Sequence, residues 1–259
     1  MDAGIVWYGF LGSLGAGMMT AVGAAGVLFV TRLSAKLEDV LLSAAAGIML
    51  AATFFSLLLP AIRYGEVLFG DTVASVGVVI VGLALGAVIL HLAHRYAPHE
   101  HFLSGREGPD TKTLSRIWLF IIAITIHNFP EGMAVGVGFA GDDVANGMTL
   151  ALGIGIQNVP EGLAVAVAML AAHYSRSTAF LVGLTTGLVE PVGGLFGAFA
   201  VAAAAPIMPL TLGFAAGAML YVISDEIIPE THRRGFETLA TFSLLGGFVL
   251  MMFLDATLG

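Results

Sequence analysis

The chain has 259 residues, of which 58% are hydrophobic and only 11% charged, with a mean hydropathy of +0.96. A soluble domain carries about 25% charged residues, so the composition excludes one and points to a polytopic membrane protein whose main partner is the lipid bilayer. The net charge of −8 comes with no basic patch for nucleic acid, and the lack of cysteine excludes disulfides and thiolate metal ligands.

A crossing helix needs about 20 mostly apolar residues. Eight runs qualify, at roughly 4–30, 38–62, 72–96, 114–140, 145–172, 177–203, 209–231 and 236–258. The expected fold is all-α, with residues 1–259 forming a single transmembrane domain. Met1-Asp2-Ala3-Gly4 lacks a basic leader region, so the first run is expected to be retained as a span. The only connection of appreciable length, 97–113, is polar and rich in Gly, Pro and His. Arg32, Lys36, Arg95, Arg106, Lys112, Arg116, Arg176, Arg233 and Arg234 fall on one side of these spans, and Arg63 alone on the other. The positive-inside rule puts the first group, and with it the 97–113 loop, in the cytoplasm. With an even span count, both termini then lie outside a cytoplasmic (inner) membrane.

The chain repeats itself. Ala45-Ala46-Gly47-Ile48-Met49-Leu50 in span two matches Ala215-Ala216-Gly217-Ala218-Met219-Leu220 in span seven. Gly17, Val22 and Gly23 match Gly187, Val192 and Gly193, and both offsets are 170. Spans one and six cross in opposite directions, which makes this the pattern of an inverted repeat relating spans one to three with six to eight around a central pair. Transporters place their substrate near the midplane between such repeats, and the two repeated groups are expected to move against each other.

A shorter repeat carries the chemistry. His127-Asn128-Phe129-Pro130-Glu131-Gly132 in span four recurs thirty positions on as Gln157-Asn158-Val159-Pro160-Glu161-Gly162 in span five. Residues at i, i+3 and i+4 share a helix face, so His127, Asn128 and Glu131 face one way, as do Gln157, Asn158 and Glu161. Pro130 and Pro160 lack an N–H and are expected to kink both helices. His127, Gln157 and Glu190 each lie twelve or thirteen residues into a span, about 18–20 Å from its start and near the middle of the bilayer core. Ionisable groups at that depth cost roughly 2.5–3.5 kcal/mol each on insertion scales. A divalent ion would offset that cost. One imidazole, three carboxylates and several amides suit Zn²⁺, Cd²⁺, Fe²⁺ or Mn²⁺. The metal is expected as transported substrate, and no cofactor or catalytic residue is indicated.

At these motifs the chain resembles the ZIP family of divalent metal transporters, in particular its prokaryotic GufA-like branch. HNFPEG, QNVPEG and the Glu of span six carry the resemblance, together with Pro98 to His101 after span three, Ile228 to Arg233 after span seven and Met251 to Asp255 near the end. The resemblance implies a binuclear site. Met49, His127, Glu131, Gln157 and Glu161 would form one half, and Asn128, Glu131, Asn158, Glu161 and Glu190 the other. Two positions depart from relatives: many have His where this chain has Gln157, and some have Asp where it has Asn158. The second substitution removes one negative charge from the second half. Span seven reads Ser224-Asp225-Glu226 where relatives carry His before the Glu.

An exit path toward the cytoplasm is expected along Asp225, Glu226 and Glu230, continued by His99 and His101. His91, His94 and Glu100 beside them are either part of that relay or ordinary interfacial residues. His173 and His232 read as structural helix-end residues, and Asp255 as a cation attractor or a cap. Small-residue helix faces allow a homodimer. The rival function is an intramembrane metal-dependent hydrolase, which needs a metal-activated water and a general base. HExxH is absent, and every candidate carboxylate is already assigned as a ligand.

Overall fold

A computed structural model describes residues 3–30, 32–96, 99–101, 105–107, 116–139, 144–203 and 205–258. A bilayer offers the backbone no hydrogen-bond partners, so a crossing segment satisfies itself as a helix. In chain order the helices are α1 (Ala3–Ala24), α2 (Ala35–Ala52), α3 (Leu59–Phe69), α4 (Thr72–Tyr96), α5 (Arg116–Gly138), α6 (Val144–Ala171), α7 (Arg176–Gly187), α8 (Glu190–Ala203), α9 (Met208–Val222), α10 (Ile228–Thr231) and α11 (Glu237–Leu258). Ala25–Leu28 and Ala205–Ile207 form 3₁₀ turns. Two π-helical segments, Thr53–Leu58 and Ile223–Ile227, join α2 to α3 and α9 to α10.

Local signals set several boundaries. Ser34 Oγ accepts from the Leu37 N–H at 3.2 Å and starts α2, and Ser175 Oγ accepts from the Thr178 N–H at 3.1 Å and starts α7. Gly70, at φ 65°, ends α3 in the left-handed conformation and turns the chain into α4.

Among the described residues, seven segments are long and apolar enough to cross a membrane: Val6–Leu28, Ala35–Phe69, Thr72–Ala93, Val144–Leu170, Arg176–Ala202, Met208–Thr231 and Glu237–Leu258. Helix α5, of 23 residues, is additional to these. Among the described residues the protein is an all-helical, multi-pass membrane protein apart from one small hairpin.

The structure departs from the sequence reading in three places. The second run continues to Phe69 instead of ending near 62, because the apolar pattern persists beyond Pro60, which sits harmlessly at the start of α3. The sixth run is broken at Leu188 and Val189, so Glu190 opens a new helix. In the 97–113 loop, β1 (His99–His101) pairs antiparallel with β2 (Gly105–Glu107), matching His99 with Glu107 and His101 with Gly105. This pairing satisfies backbone groups that no helix takes up. Helices α5 and α6 run on through Pro130 and Pro160.

The helices sort into two groups. Helix α1 lies against α6, α7 and α8, and α5 lies against α8 and α6. Helix α2 lies against α11, and α4 against α9 and α3. The groups meet where α2 touches α6 and α5 touches α9, around a buried apolar core that includes Met49, Leu57, Leu150, Ile154, Leu212 and Met219. Glycine decides this, by letting backbones touch. A Cβ at Gly17 would collide with the Gly187 carbonyl, and one at Gly187 with the Gly17 carbonyl. In the other group, Gly47 lies on the Leu244 backbone and Gly217 on that of Leu83.

Candidate metal centre

The repeated motif lies where α5, α6 and α8 converge. Its glycines create the approach: a Cβ at Gly132 would strike the Glu190 carbonyl, and one at Gly162 the Thr20 carbonyl. His127, Asn128, Glu131, Gln157, Asn158, Glu161 and Glu190 are all buried. Gln157 Nε2 donates to Glu131 Oε1 at 2.5 Å. Asn158 Nδ2 donates to Glu190 Oε1 at 2.6 Å and to the Ala16 carbonyl at 2.9 Å. Asn128 Nδ2 donates to the Thr186 carbonyl at 3.0 Å. Ala16 and Thr186 are themselves 170 apart, so the two asparagines hold equivalent points on α1 and α7.

The donors are spent while the acceptors are not. Asn128 Oδ1, Glu131 Oε2, Gln157 Oε1, Asn158 Oδ1, Glu161 Oε2 and Glu190 Oε2 are all buried and accept no hydrogen bond. Buried polar atoms normally have partners. A cluster of six unpartnered oxygens, with its amide N–H groups already donating to backbone carbonyls and to the Glu131 and Glu190 carboxylates, is suited to a cation. Among the described residues no three His, Asp or Glu side chains close on a single point. The amides of Gln157 and Asn158 instead hold the Glu131 and Glu190 carboxylates.

Met49 is buried in α2, where Thr53 Oγ1 donates to its carbonyl at 2.8 Å and lies 3.9 Å from Met219 Sδ. Glu226 belongs with the motif more closely than the sequence indicates. It is buried in the second π segment, and its Oε2 lies 3.0 Å from His127 Nε2. Asp225 beside it is exposed. Glu230 binds Arg233 and Arg234. His99 and His101 lie in β1, but their side chains, like that of His94, fall outside the described residues. His91 Nδ1 is 3.1 Å from the Tyr221 hydroxyl. His173, at φ 66°, terminates its helix, and His232 bonds Thr241 and the Ile228 carbonyl, both as structural residues. Asp255 accepts from Ser56 Oγ at 2.6 Å.

The sequence reading passed over Thr20. Its hydroxyl is fully buried without a hydrogen-bond partner, and the 170 offset makes it the counterpart of Glu190 in the repeat. That offset was the signal that could have found it.

The family profile described as ZIP zinc transporter matches residues 91–255. "Zinc transporter GufA" of Myxococcus xanthus is 45% identical over 251 residues, covering 97% of this chain and 99% of that protein. The chain belongs to the ZIP zinc transporter family. This ZIP chain is also similar to "Zinc transporter ZIPB" of Bordetella bronchiseptica, 45% identical over 254 residues, covering 98% of this chain and 82% of that one. Human "Zinc transporter ZIP11" is 36% identical over 335 residues, covering 98% of each. The family is one of transporters and not of enzymes, which sets the hydrolase reading aside.

Proposed function

We propose that this ZIP chain carries divalent transition-metal ions, zinc first and also cadmium, iron or manganese, across the inner membrane into the cytoplasm. The ion passes through two adjacent sites, one of Met49, His127, Glu131, Gln157 and Glu161, the other of Asn128, Glu131, Asn158, Glu161 and Glu190. The observation that carries this reading is the set of six buried oxygens without donors between α5, α6 and α8. The donor types suit a borderline ion, and exchangeable amide and carboxylate ligands hold it less firmly than a closed structural site does. Zinc comes first because the similar proteins are named zinc transporters. The imbalance of Lys and Arg favours inward orientation with both termini outside.

Eight crossings follow if α5 is counted with the seven apolar segments. An inverted repeat is supported by the two π segments, which begin 170 residues apart at Thr53 and Ile223. It is also supported by the paired contacts of Gly17 with Gly187 and of Gly47 and Gly217 with spans eight and three. Leu83 and Leu244 differ by 161 instead of 170, because α3 is longer than α10.

Purified protein in liposomes tests the function. Saturable uptake of radiolabelled zinc, competed by cadmium, is expected. Metal-independent flux of an organic solute, or hydrolysis without flux, would overturn it.

A further inference from the structure

The helices around the motif pair off contact by contact. A Cβ at Gly132 would strike the Glu190 carbonyl, and one at Gly162 the Thr20 carbonyl. A Cβ at Gly193 would strike the Phe129 carbonyl, and one at Gly23 that of Val159. Asn128 Nδ2 donates to the Thr186 carbonyl at 3.0 Å, and Asn158 Nδ2 to that of Ala16 at 2.9 Å. In each pair the residues of α5 and α6 differ by 30, and their partners by 170. Helix α1 therefore meets α6 as α7 and α8 meet α5. Thr20 stands toward α6 as Glu190 stands toward α5.

The equivalence fails only in chemistry. Asn158 Nδ2 also donates to Glu190 Oε1 at 2.6 Å. The matching pair is Asn128 and Thr20, and there the groups are open. Thr20 is fully buried, its hydroxyl has no partner, and Asn128 Oδ1 has none either.

The hydroxyl is open for a local reason. A buried helical threonine commonly returns its hydroxyl to a carbonyl three or four residues back. Thr53 does so to Met49, Thr186 to Gly183 and Thr231 to Ile227. Four residues before Thr20 is Ala16, whose carbonyl already takes a helical N–H and Asn158 Nδ2. Both of its lone pairs are then used. Three residues before Thr20 is Gly17, whose carbonyl is pressed against Gly187. A Cβ at Gly187 would also lie 2.9 Å from Thr20 Oγ1, which sets the hydroxyl at the helix break just before Glu190.

We propose that Thr20 is a further metal-contacting residue of the second half of the site, its hydroxyl oxygen serving as a neutral ligand at the position equivalent to that of Glu190. The proposal rests on the transport reading for the identity of the ion. Threonine hydroxyls suit hard divalent ions, as where they meet Mg²⁺ in phosphate-binding loops. Mn²⁺ favours six oxygen ligands, whereas Zn²⁺ is most often four-coordinate. A neutral oxygen raises the number of ligands without adding charge. Thr20 thereby lets this half accept manganese beside zinc.

Isothermal titration of the full chain in detergent, with Zn²⁺ and with Mn²⁺, tests this. Thr20→Val keeps the branched shape and removes the oxygen. It should weaken Mn²⁺ binding several-fold more than Zn²⁺ binding. Thr20→Ser keeps the hydroxyl and should retain the wild-type ratio. A loss of packing alone would weaken both ions equally, so an unchanged ratio in Thr20→Val overturns the proposal. A shifted ratio in Thr20→Ser overturns it too. If Thr20→Val does not fold, Thr20→Asp puts a carboxylate at the same position. It should bind both ions several-fold more tightly than wild type, and equal or weaker binding overturns the proposal. Failure of the transport reading has its own signature: wild type binds neither ion, which removes that reading and this proposal with it.

Discussion

His127 Nε2 lies 3.0 Å from Glu226 Oε2, and both side chains are buried. This contact joins the two helix groups across the seam between α5 and the second π segment. A hydrogen bond to a charged partner contributes about 1.5–3 kcal/mol, or roughly 10- to 150-fold in an equilibrium. Glu226→Ala is therefore expected to slow uptake about tenfold or more while the central sites still bind metal. Uptake assays beside equilibrium zinc binding separate the two effects. Unchanged uptake would remove Glu226 from the path.

Glu131 and Glu161 are shared by both proposed sites. Removing one member of a buried charged set costs about 3–5 kcal/mol of interaction. Glu131→Ala and Glu161→Ala should each reduce zinc uptake by more than about 100-fold and still give a monodisperse, helical protein by circular dichroism. Near-normal uptake by either variant would contradict a binuclear site.

Gln157 donates to Glu131, and its carbonyl oxygen is one of the unpartnered acceptors. Gln157→His should raise preference for zinc over manganese, because imidazole favours the softer ion. Competition binding reads the ratio. A ratio equal to wild type would exclude Gln157 as a ligand.

Asn158 links Glu190 to the Ala16 carbonyl. Asn158→Asp loses both donated bonds and sets two carboxylates side by side. Metal-free protein should lose about 1–3 kcal/mol, whereas added zinc should raise its melting temperature more than it does for wild type. Thermal unfolding with and without zinc gives both values. A variant as stable as wild type without metal, and no more responsive to it, would contradict this role.

Alternating exposure predicts opposite behaviour at the two π segments. Single cysteines at Ser56 and Ile227 should change their labelling in opposite senses when zinc is added, a clean test because the chain has no other cysteine. Equal labelling in both conditions, together with uptake that does not saturate, would favour a channel.

The amino-acid sequence alone determined the class of fold and the position of the motif within it. Long apolar runs have one low-energy solution in lipid, the helix, so the spans were legible. The spacing of His127, Asn128 and Glu131 determined their shared face, since helical periodicity is local. The tertiary structure decided which faces meet. Thr53–Leu58 and Ile223–Ile227 carry no pattern that announces a π turn, yet this turn presents Glu226 to His127. Nor did periodicity reveal the break before Glu190, because Leu188 and Val189 are as apolar as a continuous helix would need. Asp39 and Arg234 are 195 residues apart in sequence and meet only in the folded bundle, where Gly47 also lets α2 approach the α11 backbone. Contacts between helices depend on how closely two backbones approach, and that distance is a property of both partners together, which no reading along one of them contains.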